Sequence, residues 1–113
     1  MVPYNHSSYP QKAILTLMHF MSMQVSIYPN PFISSLSFEV IVENNVSAIV
    51  QMLDQDLKII RMLSWLLKEG SNKTTIEDLE FLPAGTYYID IKNHEGNNLF
   101  TTKLAKLVET YEL

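Results

Sequence analysis

The feature that most constrains this chain is a repeated alternation of apolar and polar side chains with a period of two residues. In Leu36–Val42 the apolar side chains stand at every second position, and Val46–Leu53 and Thr86–Lys92 repeat the pattern. Successive side chains of a β-strand point to opposite faces of a sheet, so this period is typical of strands with one buried face. The alternation therefore predicts half-buried β-strands.

Seven candidate strands follow one another from residue 24 onward, separated by polar or proline-containing turns. Residues 59–68 also contain good helix formers, but strands flank them and a second sheet needs a strand there, so we predict a strand. Evenly spaced strands with polar turns are typical of antiparallel sandwiches and barrels. We therefore predict an all-β fold, a seven-stranded antiparallel immunoglobulin-like β-sandwich. The predicted strands are 24–28, 36–42, 46–53, 57–67, 73–79, 86–92 and 99–108.

Residues 1–23 differ from this pattern, and we predict that they are a flexible leader or linker before a domain over residues 24–113. Residues 1–10 contain two prolines and several Ser, Asn and Tyr. Residues 13–23 are apolar and follow a positive charge, as in a signal peptide, but His19 interrupts the run and no small-residue cleavage site follows. A signal peptide, a linker and a non-native addition all stay open as interpretations. No run reaches the roughly 18 apolar residues of a membrane-spanning helix.

Charge and cysteine content exclude several function classes. The chain has 8 Lys and Arg against 12 Asp and Glu, a formal net charge of −4. A protein that binds the phosphate backbone needs a basic face, so we expect no nucleic-acid partner. The chain contains no cysteine, which excludes disulfides, thiolate zinc sites, iron–sulfur clusters and cysteine nucleophiles.

The residues that could support catalysis or metal binding are scattered along the chain. His6, His19 and His94 do not have the spacing of a metal site. Asp54 and Asp56 lack the glycine and the distal glutamate of a calcium loop, so we interpret them as part of a turn. Glycine-rich phosphate loops and serine-nucleophile signatures are absent from the sequence. We predict that the protein is not an enzyme and holds no cofactor or metal.

The aromatic side chains are interpreted as core or edge-packing residues. A carbohydrate-binding platform would instead need several exposed rings on one face. The residues interpreted in this way are Tyr28, Phe32, Phe38, Trp65, Phe81 and Phe100.

Two motifs stand out from this background. One is VSIYPNPF over residues 25–32; the other is DLEFLPAGTYYIDI over residues 78–91, followed by a polar hairpin and LFTTKLAK over residues 99–106. Residues 46–61 between them form a predicted strand–turn–strand unit. Together these segments resemble the C-terminal sorting domain of the type IX (Por) secretion system of Bacteroidetes, over about residues 24–108. That family has a Tyr-Pro-Asn-Pro opening, a central hairpin, a Leu-Pro-Ala-Gly-x-Tyr segment and a lysine-rich closing strand.

The motif residues also have local physical roles. Pro29 and Pro31 fix φ and lack amide donors, which ends the first strand and directs the chain into the next. Pro83, Ala84 and Gly85 are predicted to form a type II turn, with a type I turn as the alternative. The residues of the two motif turns are Pro29, Asn30, Pro31, Pro83, Ala84 and Gly85.

The resemblance implies a function in export. A domain of this family is presented to an outer-membrane translocon after it reaches the periplasm, and is then removed by a sortase-like protease or exchanged for a lipopolysaccharide anchor. We therefore expect a secreted or cell-surface location, with Lys103 and Lys106 of the closing strand as candidate residues for translocon recognition. The alternative for these lysines is that they protect an exposed strand edge. A homodimer formed through strand edges is a further expectation.

The chain departs from the family in three respects. Leu57 stands where the central hairpin of the family has glycine, so we expect a looser or bulged turn. Residues 107–113 continue beyond the closing strand with two further acids, and only about 23 residues precede the domain, whereas the family domain follows a large cargo. The alternative function is a free-standing, small secreted immunoglobulin-like interaction or adhesion module that works by edge-strand pairing or through a loop cluster.

Overall fold

A computed structural model of the protein describes residues 23–108, which form seven β-strands. The prediction of an all-β chain is confirmed. The predicted leader lies outside the described residues except for Met23, as do residues 109–113. Within the described range, no helix has the length and apolar character needed to cross a membrane. The strands are β1 (Gln24–Tyr28), β2 (Leu36–Val42), β3 (Val46–Leu53), β4 (Ile59–Leu67), β5 (Gly70–Ile76), β6 (Gly85–Asn93) and β7 (Asn98–Lys106).

The strands form two antiparallel sheets. One sheet has three strands in the order β1-β2-β5, and the other has four in the order β4-β3-β6-β7. Buried side chains of both sheets belong to one hydrophobic core, as expected for a sandwich. In a constant-type immunoglobulin domain the fourth strand lies in the sheet of the first two strands, whereas β4 here pairs with β3. The specifically immunoglobulin-like character of the sandwich therefore stays a prediction.

The alternation in the sequence corresponds to burial in the structure. All four apolar side chains at alternate positions of β2 are buried, while Ser37 and Glu39 between them are half-buried. Burying a Val, Leu, Ile or Phe side chain contributes about 1.5–3 kcal/mol, so the repeated alternation is a main source of stability. The buried apolar residues are Phe32, Leu36, Phe38, Val40, Val42, Ala48, Val50, Met52, Leu67, Leu79, Tyr87, Ile89, Ile91 and Leu104.

The ambiguous segment forms a strand, as predicted, but over Ile59–Leu67, because Leu57 and Lys58 at the predicted start belong to the preceding turn. β4 pairs with β3 along its length, and Leu63 and Trp65 lie opposite Val50 and Ala48. Leu63 and Trp65 are partly buried against the core. This packing outweighs the local helix propensity, which differs among these residue types by less than about 1 kcal/mol per residue.

Both predicted bounds of the fifth strand are wrong, because β5 covers Gly70–Ile76 rather than residues 73–79. The early start is due to the side chain of Asn72. Its amide nitrogen donates to the carbonyl oxygens of Lys68 and Val40, and its oxygen accepts from the amide of Lys68. These bonds let the chain pass from one sheet to the other within two residues, so the strand begins earlier than its polar sequence suggests.

The turn between β3 and β4 is tight although Leu57 occupies the position of the expected glycine. The amide of Leu57 donates to the carbonyl oxygen of Asp54 at 2.9 Å. The amide of Asp54 donates to the carbonyl oxygen of Lys58 at 2.9 Å. Leu57 adopts a left-handed conformation with φ of 65°. The expected irregularity is present as a register shift after Met52, but the turn itself is not looser.

The substitution Leu57→Gly is expected to stabilise the domain by about 0.5–1 kcal/mol. A left-handed conformation costs a non-glycine residue about 1–2 kcal/mol, and the greater unfolded-state entropy of glycine offsets part of the gain. Little packing is lost, because Leu57 is 64% exposed. Leu66, which is 68% exposed but lies in a regular strand, provides the matched control. Urea unfolding should show that Leu66→Gly destabilises by about 0.5–1 kcal/mol; loss of stability in both variants would contradict the prediction.

Candidate functional site

The segments that carry the motifs lie at one end of the sandwich. The antiparallel pairing places the ends of β1, β3, β5 and β7 beside the beginnings of β2, β4 and β6. Hydrogen bonds between loops then join the two sheets there. We call this region the motif end. It consists of residues 29–35, 54–58, 77–84 and 107–108.

Phe32 connects the two motifs at the centre of this end. Its amide donates to the carbonyl oxygen of Ala105 at 2.9 Å, and its carbonyl oxygen accepts from the amide of Leu107 at 2.9 Å. These bonds form a short parallel bridge with the end of β7. The fully buried ring of Phe32 packs edge-on against the ring of Tyr87, with 5.9 Å between the ring centroids and 66° between the planes. The first motif is thus joined directly to the second motif and to the closing strand.

Asn30 adds a further bond between the first motif and the closing strand. Its side-chain oxygen accepts from the amide of Ala105 at 3.0 Å. Pro29 and Pro31 on either side have no amide hydrogen, so neither can act as a donor in a sheet. The segment therefore covers the last residues of the β7 edge through an amide side chain and one backbone bridge rather than through a regular strand.

The predicted type II turn at Pro83, Ala84 and Gly85 is wrong. Such a turn would give Ala84 a positive φ, but within residues 23–108 only Leu57 and Asp78 combine a side chain with positive φ. The hydrogen-bonded turn lies three residues earlier in the sequence, where the amide of Leu82 donates to the carbonyl oxygen of Leu79 at 3.1 Å. The three motif residues instead lead into β6, which begins at Gly85.

The backbone of Pro83 accepts a hydrogen bond from the side chain of Tyr87. The hydroxyl of Tyr87 donates to the carbonyl oxygen of Pro83 at 2.6 Å. A tyrosine that bonds back to the backbone a few residues upstream is known as a tyrosine corner in β-sandwiches. Burial raises the pKa of the Tyr87 hydroxyl above its ordinary value, and the nearby carboxylate of Asp54 raises it further. The hydrogen bond thus links the two ends of the segment from Pro83 to Tyr87.

The raised pKa of Tyr87 predicts a loss of stability in alkali. The folded domain binds the hydroxyl proton more tightly than the unfolded chain, whose pKa is near 10.0. This stabilising contribution is complete below pH 10.0 and is lost as the pH rises through the folded-state value. Urea midpoints measured between about pH 8 and pH 11 should fall less steeply for Tyr87→Phe than for the unchanged chain. Tyr88→Phe is the control on the same strand, and an equal change in both variants would contradict the prediction.

The two candidate recognition lysines occupy different environments. Lys103 is exposed on β7 and pairs in register with Tyr88. Lys106 is only 2% exposed, and its ammonium group donates to the carbonyl oxygen of Leu107 at 2.7 Å. The different exposure of the two lysines could have been predicted from the sequence. Lys106 is two residues from the buried Leu104 and so lies on the same inward face of the strand.

The motif end also carries most of the exposed apolar side chains of the described residues. Seven of the ten large apolar residues that are exposed lie in it or directly beside it. Phe81 is 89% exposed, so its interpretation as a packing residue is wrong. Its position in a loop between β5 and β6, outside any alternation, is the sequence signal that could have indicated this. The seven residues are Tyr28, Ile33, Leu57, Ile59, Phe81, Leu107 and Val108.

A shallow cleft of about 240 Å³ lies between the β3–β4 turn and the second motif. Its walls include Asp54, Asp56 and Tyr87. One carboxylate oxygen of Asp54 accepts from the amides of Asp56 and Lys58, so this group serves the turn itself. Over residues 23–108, no three His, Asp or Glu side chains are grouped so that they could hold a metal ion.

These features define an all-β domain in which the signature segments are gathered at one end. The family model of the secretion system C-terminal sorting domain matches residues 26–106, and the chain belongs to this family. A search of the curated proteins found no match.

Family membership identifies the general function. The chain is a C-terminal sorting signal for type IX secretion, a system of Bacteroidetes. It interacts with the type IX machinery and is exported to the cell surface or secreted. Sorting-signal domains of this family are not enzymatic. The resemblance inferred from the two motifs is thus confirmed.

Proposed function

We propose that the domain directs export across the outer membrane by presenting its motif end to the translocon from the periplasmic side. The observation that carries this proposal is the convergence of both family motifs and seven exposed apolar side chains at one end of the sandwich. Exposed apolar clusters of this kind mark surfaces that bind other proteins. The opposite end, formed by residues 43–45, 68–69 and 94–97, carries none of the exposed large apolar side chains of the described residues.

Phe81 is the proposed anchor of this contact. Large aromatic side chains that enter a pocket of a partner supply much of the energy of an interface. Phe81 is 89% exposed beside the second motif, so it can enter such a pocket without any change in the core. Leu57 and Leu107 are also exposed at the motif end and would add apolar contacts with the partner.

Lys103 and Lys106 are expected to contact the translocon at different stages. Lys103 is accessible on β7 and can contact an acidic group of the translocon directly. Lys106 is buried and could do so only after the segment from Leu107 onward leaves Phe32. We assign direct recognition to Lys103 and a later contact to Lys106.

The domain is also proposed to be removed after export, to have no enzymatic activity and to associate with other copies of itself. A sortase-like protease removes the domain once the cargo has crossed the membrane. The domain contributes no enzymatic activity of its own, in keeping with the non-enzymatic character of its family. Copies of the domain associate with each other through a strand edge.

Fusion of the full chain to the C-terminus of a periplasmic reporter tests the export function. In a host with an active type IX system we expect the reporter at the cell surface or in the medium. In the same host without the translocon, the reporter should remain in the periplasm. Retention of the reporter in the competent host would contradict the proposal and favour a free-standing interaction module.

A further inference from the structure

The edges of the two sheets differ in how they are protected against pairing with another strand. Within residues 23–108 the edge strands are β1, β4, β5 and β7. β1 has only five residues and is followed by Pro29. β5 has the exposed Lys73 at its centre, and β7 has Lys103 and is partly covered by Phe32. Short length, proline, lysine and a covering segment are the usual means of blocking an edge.

β4 has none of these protective features along most of its length. It has nine residues, and from Met62 to Leu67 it contains neither a charge nor a proline. Its one charged residue, Arg61, donates to the carbonyl oxygens of Glu77 and Asp78 at 3.1 and 2.8 Å. The guanidinium group is therefore directed to the β5–β6 loop and leaves residues 62–67 of the edge uncharged.

The exposed side chains of this edge are arranged symmetrically about Ser64. Met62 lies two residues before Ser64 and Leu66 two residues after it, and they are 59% and 68% exposed. Ser64 is exposed on the same face. A strand that pairs antiparallel with its own copy about Ser64 places Met62 opposite Leu66 in both halves of the pair. The same register places Leu63 opposite Trp65.

We infer that the β4 edge is a self-association surface, on which a second copy of this chain pairs antiparallel with Ser64 opposite Ser64. The pairing satisfies free backbone donors and acceptors on both edges and joins the two four-stranded sheets into one. The two-fold symmetry of the exposed side chains about Ser64 favours a second copy over an unrelated strand. The inference specifies the edge for the self-association included in the proposed function. It does not depend on export, since it is tested with the purified chain.

Cross-linking through a single cysteine tests the register. The chain has no cysteine, so Ser64→Cys introduces the only thiol. Residues directly opposite in an antiparallel pair have Cβ atoms about 4.5–5.5 Å apart, within reach of a disulfide after small adjustments. We expect mild oxidation to convert this variant to a covalent dimer. Ser26→Cys, at an exposed position on the edge strand β1, is the matched control and should cross-link at least about tenfold more slowly.

Sedimentation of the purified chain tests the association without a cross-link. The unchanged chain should form dimers as its concentration rises, and Ser64→Lys should weaken the dimer about fivefold or more, because two like charges then face each other. Ser26→Lys should leave the dissociation constant unchanged. A chain that stays monomeric, equal cross-linking of both cysteine variants, or equal weakening by both lysine variants would overturn the inference. If the chain is monomeric and its reporter fusion is still exported, the inference of self-association is wrong and the proposed export function stands.

Discussion

Phe32→Ala is expected to lower the free energy of unfolding by about 3–5 kcal/mol, the range for truncating a buried phenylalanine. The ring of Phe32 is completely buried and packs against Tyr87. Its removal leaves a cavity at the point where the two sheets and the closing strand meet. A domain of this size has about 5–15 kcal/mol of stability in total, so the variant should be largely unfolded at moderate urea concentrations.

Phe81→Ala provides the control for this loss. It removes the same atoms from a side chain that is 89% exposed, so its free energy of unfolding should change by less than about 0.5 kcal/mol. Urea unfolding followed by circular dichroism measures both variants. Equal stability of the two variants would show that Phe32 does not hold the motif end together.

Phe81→Lys is expected to reduce export of the reporter fusion at least about tenfold, although the domain stays folded. An anchor residue contributes about 2 kcal/mol or more to an interface, and each 1.4 kcal/mol is a factor of ten in affinity. A lysine at this position would place a charge in a pocket suited to an apolar ring. The ratio of reporter outside the cell to reporter in the periplasm measures the effect.

Ile41→Lys separates this effect from a general loss of apolar surface. Ile41 is 40% exposed on the outer face of β2, away from the motif end. Its replacement should leave export unchanged. An equal loss of export in both variants, or no loss in either, would argue against recognition through Phe81.

The strands could be predicted from the sequence because alternation reports burial directly. In β2 and β6 the apolar positions repeat every second residue, and they are the buried positions in the structure. The composition of β4 suits a helix as well as a strand. The strand prediction there rests on the strands that flank the segment in the sequence and on the need of a second sheet for a strand, and β4 does pair with β3.

The details of the motif end could not be predicted in the same way, because they depend on long-range contacts. The hydrogen bond between Asn30 and Ala105 joins residues 75 positions apart. The same holds for the pairing of Phe32 with β7. The start of β5 and the position of the turn before β6 were mispredicted for another reason, because the side-chain hydrogen bonds of Asn72 and the exact position of a turn are not encoded in periodicity.

The bridge between Phe32 and the end of β7 determines when the motif end can form during synthesis. A polypeptide is synthesised from its N-terminus, so residues 29–32 exist long before Ala105 and Leu107 are available to them. A chain interrupted before these residues cannot assemble the bridge, whatever the quality of its earlier strands. The conformation of this early loop therefore depends on residues that are synthesised much later.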